Sequence, residues 1–71
     1  MAEHRLGNRL KDIRTARGLT QTDLAALVGV SRKTINTVEN AVFVPSTLLA
    51  LGLAKVLNTT VEALFFIDDD A

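Results

Sequence analysis

Eight hydrogen-bonding side chains crowd into one short stretch of this chain: Gln21, Ser31, Arg32, Lys33, Thr34, Asn36, Thr37 and Asn40. Arginine and lysine donate to guanine edges or to phosphates, and an asparagine amide can pair with adenine. Side chains of this kind suit contact with a nucleic acid better than they suit bond-breaking. The chain supplies no nucleophile–base pair, no metal constellation and no phosphate-cradling glycine loop. No enzymatic activity, cofactor or small-molecule ligand is therefore expected. His4 is the single histidine, on a loose end, and is expected to be neither ligand nor catalyst.

Positioning these groups requires two short helices around a turn, within about residues 20–40. Thr20 can accept from the free amides of a first helical turn, and Asp23 follows three residues on, a helix-start signature. Leu24, Ala25, Leu27 and Val28 then fall on one helical side. Gly29 ends that helix, because glycine adopts the left-handed conformation without a side-chain penalty. Ser31 is a second N-cap. The helix it opens has only two strongly apolar residues on one side, Ile35 and Val38. A helix that only filled a core would carry more apolar residues. This one is anchored by two and presents polar groups elsewhere, and a helix set at an angle to its predecessor can project into a major groove.

The 71 residues allow one domain near the lower limit for a self-sufficient core. Hydrophobic residues make up 48% of the chain, which is globular rather than disordered composition. Cysteine is absent, which excludes disulfides and thiolate chemistry and fits a reducing cytoplasm. The longest apolar run is too short to cross a bilayer, and no signal-peptide pattern opens the chain, so no membrane partner is expected. Formal net charge is zero, which argues weakly against nucleic-acid binding. The charge is polarised, however. Residues 1–33 hold seven Lys/Arg against three acids, net +4, and residues 34–71 hold one base against five acids, net −4. Such a chain can turn a basic face to phosphates; the plainer alternative is that the charges only solvate a surface.

In chain order, residues 1–4 are expected to fray. A first helix is predicted from about Arg5 to Arg17, with Leu6, Leu10, Ile13 and Ala16 at helical spacing and Gly18 as its stop. The two helices above follow, at roughly 20–28 and 31–40. Val44 precedes Pro45 and should be extended. Ser46 caps a fourth helix, about 46–57, apolar almost all round. Thr47, Ala50, Leu53, Ala54 and Leu57 make one buried side, which leaves Leu48, Leu49, Leu51 and Val56 over. A domain this small cannot bury every face of one helix, so part of it is expected to meet a second copy. Gly52 is either a tolerated glycine or a point of close helix approach beside Leu48. Asn58 can end the helix left-handed, and Thr60 caps a short fifth helix from Val61 to about Phe65. Phe66 and Ile67 are read as further interface, with a short strand open to them as a conformation. Leu48, Leu51, Gly52, Phe66 and Ile67 thus form the expected dimer surface. The acidic tail at 68–71 is read as solvating, and Phe43 as a packing residue.

Residues 6 to 65 resemble the Cro/C1-type helix-turn-helix regulators, the XRE family, and especially its short stand-alone members. The matching signature is Leu10, Ile13 and Arg14, then RGLTQTDLA (Arg17–Ala25), VGVSRKTINTVEN (Val28–Asn40), Pro45–Ser46 and TVEALF (Thr60–Phe65). The resemblance implies an all-α, five-helix, lambda-repressor-like domain over residues 1–71. It implies a homodimer on double-stranded DNA with a palindromic operator, acting as a transcriptional regulator, most often a repressor. It assigns base readout to Arg32, Lys33 and Thr37, with Asn36 adjacent. Gln21, Ser31, Thr34 and Asn40 are assigned to phosphate contact and positioning, with an edge base also open to Gln21 and a thymine methyl to Thr34. Arg14 and Glu39 correspond to a structural ion pair. Two departures stand out. Ala41 occupies a position where most members have glycine, and Val42, Phe43 and Val44 are apolar where many relatives are polar or basic. The apolar connector and the neutral charge favour a second reading, an antitoxin-like or other protein-interaction module on the same scaffold whose apolar fourth helix and tail bind another protein, whereas Arg32 and Lys33 favour the first.

Overall fold

Local capping rules place most of the helices. In a computed structural model of the protein, which describes residues 5–68, the order is β1 (Arg5–Asn8), α1 (Leu10–Ala16), α2 (Gln21–Val28), α3 (Arg32–Glu39), α4 (Thr47–Val56), α5 (Val61–Leu64) and β2 (Phe65–Asp68). Thr20 caps α2 with a reciprocal pair of bonds: its hydroxyl accepts from the Asp23 amide, and the Asp23 carboxylate accepts from the Thr20 amide. Those bonds hold the Asp23 carboxyl below its ordinary pKa. Ser31, Ser46 and Thr60 cap α3, α4 and α5 in the same way with a single hydroxyl bond each. Gly29 takes φ 76° and closes α2, and the Val30 amide reaches back to the Ala25 carbonyl at 3.0 Å. Asn58, at φ 54°, closes α4.

The start of the chain departs from expectation. The first helix begins at Leu10, not near Arg5, and residues 5–8 form a strand antiparallel to β2, with Leu6 opposite Ile67 and Gly7 opposite Phe66. Helical spacing was misleading because Leu6 fits it, whereas Gly7 would cost such a helix about 1 kcal/mol. The Asn8 side chain marks the real boundary. Its carbonyl oxygen accepts from the Leu10 amide and its amide donates to the Val38 carbonyl, pinning the start of α1 to α3. The Arg9 amide bonds the Leu64 carbonyl at 2.8 Å. Similarly, α5 ends at Leu64, and Phe65 is already extended. The fold is thus five helices with a small two-stranded sheet joining the ends, rather than helices alone. His4 and Asp69–Ala71, most of the acidic tail, lie outside the described residues.

The core gathers one or two residues from each helix: Leu10, Leu24, Ile35, Val38, Leu53, Leu57 and Leu64 are essentially inaccessible to water. On α4 the buried side is Leu53, Ala54 and Leu57, with Ala50 at its edge. Thr47 is exposed, a correction to the side predicted for it, because it lies in the first turn where α4 has not yet reached the core. The Arg17 guanidinium donates to the Leu57 carbonyl at 3.0 Å, tying the end of α1 to the end of α4.

Candidate nucleic-acid interface

Burying Ile35 and Val38 fixes the rotation of α3 about its axis. Arg32 and Lys33 then face outward and exposed, and Asn36 and Thr37 are half-exposed. Asn40, the residue after the last turn, is exposed. Ser31 and Thr34 sit at the helix start, their hydroxyls 2.9 Å apart, and the Ser31 oxygen also caps the Thr34 amide. Thr37 bonds back to the Thr34 carbonyl.

Behind this face lies a buried ion pair. Arg14 Nε donates to Glu39 Oε2 at 2.6 Å and Nη2 donates to Oε1 at 3.2 Å, while Nη1 donates to the Leu19 carbonyl at 2.8 Å. The Glu39 bond raises the guanidinium's already high pKa, so Arg14 stays charged. Side-chain exposure is 9% for Arg14 and 2% for Glu39. The acid on α3 is therefore neutralised and turned inward, so it does not repel an anion approaching Arg32 and Lys33.

Gln21 links that pair to the outer face. Its Nε2 donates to Glu39 Oε1 at 2.9 Å and to Asn36 Oδ1 at 3.2 Å, and its Oε1 accepts from Arg32 Nη1 at 3.2 Å. Asn36 Oδ1 accepts a second bond, from Asn40 Nδ2. Arg14, Glu39, Gln21, Arg32, Asn36 and Asn40 are thus one connected network spanning α1, α2 and α3. Spacing alone does not disclose this, because the contacts depend on the angle between α2 and α3.

The expected dimer residues divide between surfaces. Leu48 is 81% exposed and, with Gly52, lines a groove against Leu27 and Val56. A side chain at Gly52 would meet open space, so no close helix approach within the chain requires that glycine. Leu51 lines a second groove with Leu6, Val44, Pro45 and Val61. Strand alternation puts Ile67, also exposed, on the same face of the sheet as Leu6. Phe66 points to the opposite face and is half-buried against Gly7 and the Arg9 guanidinium, so it does not join that apolar surface. Phe43 is half-exposed at the rim of the Leu48 groove, and Val42 and Val44 are more exposed still.

Among the described residues no helix is long and apolar enough to cross a membrane, and no cluster of potential metal ligands occurs.

Comparison with known proteins agrees with this geometry. The family model described as Helix-turn-helix matches residues 10–64. The uncharacterized HTH-type transcriptional regulator MJ0272 of Methanocaldococcus jannaschii is 43% identical over 63 residues, 89% of this chain and 96% of its own length. YgzD of Bacillus subtilis, of the same description, is 35% identical with the same coverage. Among solved structures, the restriction-modification controller protein C.AhdI of Aeromonas hydrophila superposes with a TM-score of 0.74 at 36% identity, over 78% of this chain and 83% of that one. With a matching family model over most of the chain, five helices in the matching order and an outward-facing polar α3, the chain belongs to the Cro/C1-type (XRE) helix-turn-helix family, whose members are DNA-binding transcriptional regulators and not enzymes.

Proposed function

We propose that the protein is a sequence-specific transcriptional regulator, acting as a repressor and binding a palindromic operator as a homodimer. The observation that carries this reading is the two-faced α3: Ile35 and Val38 are buried, while Arg32, Lys33, Asn36 and Thr37 face outward, Arg32 and Asn36 through hydrogen bonds to Gln21. In a major groove, those four side chains would read base edges. Ser31, Thr34 and Asn40, with the amide end of α2 at Gln21, would meet phosphates and set the register. A second copy would cover the outer side of α4 around Leu48, Leu51 and Gly52, continued by Ile67. With no net charge to add nonspecific attraction, affinity should be modest, and each phosphate neutralised by a Lys or Arg makes it weaken with salt.

Selection of bound sequences from random DNA tests the proposal. A consensus with two-fold symmetry is the expected result. Retention of random DNA without any preference, or no retention, would refute it and favour the protein-interaction module, for which the exposed Val42, Phe43 and Val44 speak.

A further inference from the structure

The hydrogen-bond network behind α3 has a fixed polarity, and that polarity reaches the outer face. Both Glu39 oxygens accept from the Arg14 guanidinium, which has only donors to offer. The Gln21 atom 2.9 Å from Glu39 Oε1 must therefore be the amide nitrogen. Its second hydrogen points to Asn36, which must answer with its carbonyl oxygen; the flipped amide would set two donors against each other. Gln21 Oε1 is then left to accept from Arg32. The two lone pairs of Asn36 Oδ1 are both engaged, one by Gln21 Nε2 and one by Asn40 Nδ2.

Resting on the DNA-binding reading, we propose that Asn36 reads its base pair as a donor only, through Nδ2, to a major-groove acceptor (guanine O6 or N7, thymine O4 or adenine N7), and takes no bond from a base amino group. The two-bond asparagine–adenine contact needs Oδ1 to accept from the adenine amino group. That oxygen is already filled by bonds traceable to Glu39. Asn36 is thus a specificity-determining residue, and Gln21 and Glu39 act on it as positioning residues. The side chain offers only the donor half of the pattern its residue type first suggests.

Bound sequences are selected with the wild-type protein and with Asn36→Ala, and the position whose preference flattens by about tenfold is the one Asn36 reads. At that position the amino-bearing base is replaced by its deamino analogue, purine for adenine or 2-pyrimidinone for cytosine. Donor-only reading expects wild-type affinity to change less than about twofold, because no protein atom accepts from that amino group. A loss of about tenfold that Asn36→Ala does not share would overturn the proposal while leaving the regulator reading intact. So would a wild-type consensus that Asn36→Ala leaves unchanged at every position. Failure of the regulator reading itself looks different: the wild-type protein then selects no consensus at all.

Discussion

Gly7 lies against the ring of Phe66, its partner across the sheet, so closely that a side chain built at Gly7 would overlap the ring. The Arg9 guanidinium sits over the same ring, 4.3 Å from its centroid. The glycine is needed for space, since only the two glycines at 18 and 29 have positive φ. Gly7→Ala should therefore force the ring aside, costing about 1–3 kcal/mol by overpacking. Urea unfolding reads this directly. Adding Phe66→Ala should recover part of the loss; equal losses with and without the ring would dismiss the contact.

Ala41 is the strained residue that follows α3. Its φ is 59°, and the Val42 amide closes the turn onto the Thr37 carbonyl at 2.9 Å. A left-handed alanine costs about 1–2 kcal/mol, which glycine avoids. Ala41→Gly should raise stability by about 1 kcal/mol, or about 4–8 °C in Tm for a domain of this size. An unchanged Tm would mean that the backbone here relaxes on its own.

Arg14 and Glu39 form a buried pair, whose net contribution is small but whose separation is costly. Arg14→Met or Glu39→Met alone should destabilise by about 3–5 kcal/mol, because each leaves a buried charge unpaired. The double variant should lose less than the sum, with a coupling of about 0.5–3 kcal/mol. Additive losses would show that the two residues act independently.

The outer face of α4 predicts self-association. Sedimentation at micromolar concentration should show a dimer, and Leu51→Glu or Leu48→Glu should shift it toward monomer with helicity retained. Both side chains are exposed in the single chain, 55% and 81%, so a glutamate there does not disturb the core. A wild-type protein that stays monomeric at high concentration would rule out this seam.

Local chemistry made much of this molecule legible in the sequence. Thr20, Ser31, Ser46 and Thr60 each announce a helix by supplying a missing acceptor, and Gly29 and Asn58 each announce an end. The polar face of α3 followed from the scarcity of apolar residues along it. The sheet was hidden because pairing of Leu6 with Ile67 is decided across nearly the whole chain, while the spacing of Leu6 and Leu10 satisfies a helix equally well. The connectivity of Gln21, Asn36 and Asn40 was hidden for a related reason. Residue types disclose which atoms can donate, but only the crossing of α2 over α3 discloses which are already occupied.

The sheet also has a kinetic meaning. Joining Arg5 to Asp68 closes a loop containing every helix, so its entropy of closure is repaid only after the helices have assembled. The strands should therefore act as a clasp, last to fasten and first to open. Amide hydrogens of residues 5–8 should exchange with solvent through brief local openings, while those of Leu24, Ile35 and Leu53 wait for the whole domain to unfold.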